Sequence, residues 1–192
     1  MKVILGVSNR HVHLKEEDYK TLFGDEPINK VKDLRQPGQF ASDKFVTIKN
    51  GERQIEHVRV LGPIRNYTQV EISRTDAYTL KLNPPIRTSG QLEGSSPITI
   101  IGPKGELNLK EGCILANRHI HISPEEVKQY NLEGIKKVKV KIDGEKGGIL
   151  NNVYLKILEP SLLEMHIDTD EGNAFGVKTG DELEIIELER DE

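Results

Sequence analysis

Apolar and polar residues alternate along this chain in brief stretches rich in Val, Ile and Thr, the period-two pattern of strands that bury one face. Stretches at 3–7, 44–49, 58–61, 68–72, 98–101, 106–109, 137–142, 153–158, 163–167 and 182–187 each read as a strand. Asn50-Gly51, Lys104-Gly105 and Asp143-Gly144 fall between such stretches and suit tight hairpin turns. Two segments break the alternation and read as short helices. One covers 15–23, and the other opens at Ser123-Pro124-Glu125-Glu126, where a serine cap, a proline in the first turn and early carboxylates coincide. The expected fold is mainly β.

Both helices follow a histidine pair, and the pairs belong to an internal repeat. Asn9-Arg10-His11-Val12-His13 returns as Asn117-Arg118-His119-Ile120-His121. The segment VTIKNGERQIEHVRVLGP, from Val46, lines up with VKIDGEKGGILNNVYLKILEP, from Val140. Val58 precedes Glu71 by the same interval that separates Val153 from His166, so Glu71 and His166 are counterpart positions, and His57 aligns with Asn152. The repeat divides the chain into two related β units, residues 1–109 and 110–192, with no linker of disordered composition between them.

With 192 residues, 35% hydrophobic and 30% charged, the chain has the composition of one or two compact domains. No apolar run approaches the roughly 18 to 20 residues of a spanning helix, and the N-terminal stretch lacks a signal-peptide pattern, so a cytoplasmic protein without a membrane partner is expected. A net charge of -4 argues against nucleic acid as a partner. Cys113 is the single cysteine, which excludes an internal disulfide or a cysteine-rich zinc knuckle. It lies in an apolar run with no adjacent base and reads as core filler. No phosphate-binding P-loop, dinucleotide fingerprint, serine nucleophile elbow or H-E-x-x-H motif is present.

Residues two apart on a strand point to one face, so His11 with His13, and His119 with His121, can each aim two imidazoles at one ion. Random placement of six histidines would give about 0.2 such pairs in the chain. Two occur, in nearly identical contexts. A catalytic zinc site asks for three protein donors and an open position. Glu71 would complete a His, His, Glu set and His166 a His, His, His set, although an outward-facing strand glutamate is the plain alternative for Glu71. Zinc suits both sets, and cobalt, manganese or iron remain open on ligand type. Arg65, Arg74, Arg10 and Arg118 lie near these positions in sequence and could clamp phosphate with a guanidinium fork or form surface salt bridges instead. Gly6, His11, His13, Glu17 and Gly24 approach the first cupin motif, but the leading gap is one residue short, no second motif follows, and Glu17 falls in a helical segment.

The blocks GVSNRHVHL, KDLRQPGQFA, VRVLGPIRNYTQVEISRTDAY, IIGPKGELNLKEGCILANRHIHISPEE and LEMHIDTDEGNA together closely resemble the phosphate propanoyltransferase family, the PduL-type phosphate acyltransferases. The resemblance covers almost the whole chain. It implies two β-barrel domains arising from an internal duplication and capped by short helices, with residues 1–9 forming a first strand that joins the C-terminal barrel, 10–109 the first barrel and 110–192 the second. It also implies two zinc ions at the barrel junction, one held by His11, His13 and Glu71 and the other by His119, His121 and His166, with Arg65 as the active-site arginine. The implied reaction interconverts acyl-CoA plus phosphate with acyl phosphate plus coenzyme A, on propanoyl or acetyl groups. The ligand set alone also permits a dizinc hydrolase of an ester, amide or phosphoester. Flat β surfaces and the family make a homodimer plausible. Some members carry an amphipathic extension that directs them into microcompartments; here the sequence enters its first strand at Lys2, so a free cytoplasmic enzyme is expected.

Overall fold

The structure is a computed structural model that describes residues 1–190. Along the chain run β1 (Lys2–Ser8), β2 (His11–His13), α1 (Glu16–Phe23), β3 (Lys30–Asp33), β4 (Phe40–Asn50), β5 (Arg53–Gly62), β6 (Gln69–Glu71), α2 (Arg74–Leu80) and β7 (Ile86–Arg87). They continue with β8 (Ser96–Ile101), β9 (Glu106–Ala116), β10 (His119–Ile122), α3 (Pro124–Gln129), β11 (Ile135–Ile142), β12 (Gly148–Ile157), β13 (Glu164–Asp168), α4 (Thr169–Phe175) and β14 (Glu182–Arg190). The protein is mainly β, with four short helices among the described residues. All three expected hairpin turns join consecutive strands: β4 to β5, β8 to β9 and β11 to β12. No described helix is long and apolar enough to cross a membrane.

The strands form two compact units, one of residues 9–116 and one of residues 1–8 with the described residues from 117 onward. In the unit of 9–116, the pairings β4–β5, β5–β2, β2–β6, β6–β9, β9–β8 and β8–β4 close a six-stranded ring, with β3 and β7 added at its margins. The other unit closes through the order β1, β13, β10, β12, β11 and β14. Closure pairs both edges of every ring strand, leaving no open edge in either ring.

Each ring has its own core. Val12, Val46, Ile48, Val58, Val60 and Val70 fill the first, joined by Tyr19, Leu22 and Phe23 of α1 and by Ala77 and Leu80 of α2. Val3, Leu5, Ile120, Ile122, Val138, Val140, Val153, Met165 and Ile167 fill the second, with Val127 of α3 packed against them. Because side chains alternate across a strand, putting Val12 and Ile120 inward turns the flanking histidines to the opposite face.

The two units repeat each other in detail. β2 runs parallel to β5 and antiparallel to β6, as β10 runs parallel to β12 and antiparallel to β13. Four residues of β5, Ile55 to Val58, face three of β4, Val46 to Ile48, and four of β12, Leu150 to Val153, face three of β11, Val138 to Val140. At these bulges His57 and Asn152 take φ of 58° and 55°. The aligned residues therefore share a left-handed backbone position, and the His57 ring stacks on Phe45 with centroids 3.7 Å apart.

Helices α2 and α4, which the alternation does not predict, start alike. Ser73 accepts a hydrogen bond from the backbone N–H of Asp76, and the Asp76 carboxylate accepts one from the Ser73 backbone; Asp168 and Glu171 repeat the arrangement. Arg10 donates from Nε to Asp76, and Arg118 to Glu171. The arginines of the histidine motif thus fasten a helix start to a strand start. Arg74 donates to the Asn83 side chain at the surface.

Candidate metal centre

The ladder register assembles the first set of donors. His11 lies opposite Glu71 and His13 opposite Gln69, while Val12 lies opposite Val70. Residues opposed in an antiparallel ladder share a face, so the two imidazoles, Glu71 and Gln69 line one face and the valines the other. His11 Nε2 and Glu71 Oε2 are 3.5 Å apart, and the two histidine rings sit nearly edge to face with centroids at 4.9 Å. The register recurs in the second unit, where His119 lies opposite His166 and His121 opposite Glu164. There His119 Nε2 and His121 Nε2 are 3.1 Å apart, and the His166 ring centroid is 5.3 Å and 4.8 Å from theirs. Within each trio one donor atom per residue lies within 4.8 Å of the others.

These spacings suit a metal ion. A tetrahedral ion bound at about 2.0 to 2.1 Å holds neighbouring donor atoms about 3.3 Å apart, and the separations of 3.1 Å and 3.5 Å bracket that value. The tautomers suit it too. His11 Nδ1 lies 2.8 Å from the Asn9 carbonyl oxygen and His119 Nδ1 lies 2.8 Å from that of Asn117. A carbonyl only accepts, so each Nδ1 carries the proton and each Nε2 presents a lone pair to its trio. Among the described residues these are the two groups of three or more histidine, cysteine or acidic side chains with such geometry.

Burial by itself would lower the His11 pKa, but the Glu71 carboxylate, helped by the Asn9 carbonyl, outweighs it and holds the imidazole above its usual range. The positive charge of the Arg65 guanidinium makes a smaller, opposing contribution. Arg65 is fixed by the loop between β5 and β6. Its backbone N–H donates to the Leu14 carbonyl, Nη1 donates to the Tyr67 hydroxyl at 2.6 Å, and Nη2 donates to Gln39 Oε1 at 2.9 Å.

All six histidine and glutamate positions singled out by the repeat are thus gathered into two trios, and His57 lies in neither. Gln69, Glu164, Tyr67 and Gln39 were not singled out. Gln69 is fully buried; its amide donates to Glu71 Oε1 at 2.6 Å and to Ser89 Oγ at 2.8 Å, and its carbonyl accepts from the Gly90 backbone at 2.7 Å. It therefore ties Glu71 to the segment after β7, whose Gly90, Gln91 and Gly94 line, with Arg87, an open surface depression of about 820 Å³. Glu164, equally hidden, contacts His166. Both lie two residues before the third donor, and that spacing on a strand was the available signal.

Comparison with known proteins follows the same lines. A family model described as phosphate propanoyltransferase matches residues 4–178. A phosphate propanoyltransferase of Thermotoga maritima is 50% identical over 188 residues, covering 97% of this chain and 90% of that protein. One from Citrobacter freundii is 49% identical over 173 residues, covering 90% and 82%. One from Rhodopseudomonas palustris is 43% identical over 185 residues, covering 96% and 82%.

Proposed function

Since the chain belongs to the phosphate propanoyltransferase family, and so is an acyltransferase, we propose that it moves a propanoyl or acetyl group between coenzyme A and phosphate with the aid of two bound divalent ions. In one direction a phosphate oxygen bonds to the acyl carbon, the carbon–sulfur bond breaks, and its electron pair leaves with sulfur as the coenzyme A thiolate. In the other direction the thiolate attacks acyl phosphate and phosphate departs. His11, His13 and Glu71 would hold one ion and His119, His121 and His166 the other, and a borderline ion such as zinc would supply Lewis acidity that keeps a thiol deprotonated near neutral pH.

The chain's own groups contribute binding and orientation. Arg65 is suited to grip a dianionic phosphate because its fork donates parallel hydrogen bonds, and Gln39 and Tyr67 hold that fork in place before phosphate arrives. Asn9 and Asn117 keep one histidine of each trio in the tautomer whose lone pair faces inward.

One observation carries this reading: in a chain matched by the family over residues 4–178, a guanidinium held by Tyr67 and Gln39, on a backbone bonded to the residue after His13, accompanies a trio of two buried imidazoles and a carboxylate. The test is thiol release from propanoyl-CoA with phosphate present and omitted. An acyltransferase of this kind releases thiol only with phosphate, whereas release without it would mean hydrolysis. Arg65→Ala should leave metal content unchanged and cut turnover by about 10²-fold, the size of effect seen when one preorganised charge-stabilising donor is lost. Normal rates in that variant across a phosphate series would remove Arg65 from the account.

A further inference from the structure

β1, β13 and β10 lie side by side, so His166 has Gly6 as its neighbour on one side and His119 on the other. A Cβ built on Gly6 would stand 2.9 Å from His166 Cδ2 and 3.1 Å from Nε2. That edge of the imidazole therefore faces β1. Nδ1 lies on the ring edge away from Gly6, and β10 is the strand on the other side of β13, with the His119 and His121 ring centroids 5.3 Å and 4.8 Å from that of His166. On the β1 side Nε2 meets Glu164 Oε2 at 3.0 Å, and the Glu164 side chain is only 3% exposed. A carboxylate accepts and does not donate, so the imidazole proton belongs on Nε2 and the lone pair on Nδ1.

We propose that Glu164 is a positioning residue of the second trio: it holds His166 as the Nε2–H tautomer, aims Nδ1 at the ion, and supplies the negative charge that three neutral imidazoles lack. This rests on the metal reading above. The other unit provides the comparison. Gln69 and Glu71 there occupy the ladder positions that Glu164 and His166 occupy here. Each unit thus places one carboxylate in this pair of positions, as a donor in the first unit and behind a donor in the second. A buried dication on three neutral ligands would leave its charge uncompensated in a medium that solvates it poorly, and a carboxylate behind one imidazole reduces that cost while making the ring a better base. Gly6 belongs to the same device, because only a residue without a side chain leaves room for the ring and the carboxylate together.

Two measurements test this. In the zinc-loaded protein, nitrogen-15 spectra of the imidazoles should show His166 protonated at Nε2 and metal-bound through Nδ1, while His11 and His119 show the reverse. A His166 bound through Nε2 overturns the proposal without need of any variant. Glu164→Gln should weaken zinc binding at the His119 trio by about 10- to 100-fold, leave the His11 trio unchanged, and not lower the melting temperature of the metal-free protein, since the amide keeps the packing and removes a buried charge. Glu164→Gln combined with His166→Glu rebuilds the arrangement of the first unit and should recover the lost affinity. Unchanged affinity in the single variant, or a loss of stability that is the same with and without zinc, would overturn the proposal. Failure of the unaltered protein to take up zinc would instead bring down the metal reading, and this inference with it.

Discussion

Cys113 lies on β9 with no exposed surface, and burial, with a smaller contribution from the Asp76 carboxylate, pushes its thiol up to about 12. The thiol is therefore protonated and out of reach near neutral pH. Alkylating and disulfide reagents should leave it unmodified in the folded protein and label it fully once denaturant unfolds the chain; rapid labelling under native conditions would contradict this. His11 responds to pH in the opposite sense to a bound ion. Its pKa is raised in the folded, metal-free protein, so its pairing with Glu71 stabilises the fold fully below the ordinary imidazole pKa, and that contribution fades as pH rises through the raised value. A ligating imidazole must be neutral, so stabilisation by zinc grows over the same interval. Melting curves across a pH series, with and without zinc, should show the zinc increment rising with pH, and an increment that stays level or falls would contradict the assignment. The donors were legible in the sequence because each histidine pair occurs twice and the spacing to Glu71 and His166 repeats. Glu164 and Gln69 were not, because a polar residue in a period-two strand reads as solvent-facing, and only the ladder register shows that its face carries the histidines.

At the scale of elements, the capped helices offer a direct measurement. Ser73→Ala removes the hydroxyl that accepts from the Asp76 backbone N–H and should cost about 1 kcal/mol in denaturant unfolding. Ser73→Asp, which keeps an acceptor there, should restore most of that loss. Equal destabilisation by both substitutions would mean that the cap is not the cause. Helices α2 and α4 have seven residues each, two turns, which is too short for an apolar period to stand out from neighbouring strands. Their legible mark was the pairing of a small capping residue with an acid three positions later, Ser73 with Asp76 and Asp168 with Glu171. Strand positions were better marked than strand ends. β9 continues well past the expected 106–109 to Ala116, passing through Gly112 at φ 152°, where a glycine interrupts the alternation while the pairing goes on. The edge strands β3 and β7 bury none of their residues, so no period announced them.

For the whole molecule, local alternation predicted many strands but could not say how two rings close. Closure depends on the parallel pairings β2 with β5 and β10 with β12, and on β1 pairing with β13 and β14 from the far end of the chain. Such non-local contacts leave no trace in a sequence window: the repeat marked two related units and the family resemblance implied a first strand that joins the C-terminal barrel, but neither named the parallel pairings. The same repeat makes the central claim countable, since it predicts one ion for each of two donor trios. The most direct test is metal analysis of the purified protein after zinc loading and removal of excess ion. The account predicts two equivalents per chain for the unaltered protein, one for His13→Ala, one for His121→Ala and none for the double variant. An unaltered protein that retains no zinc, or variants that keep the full complement, would contradict it.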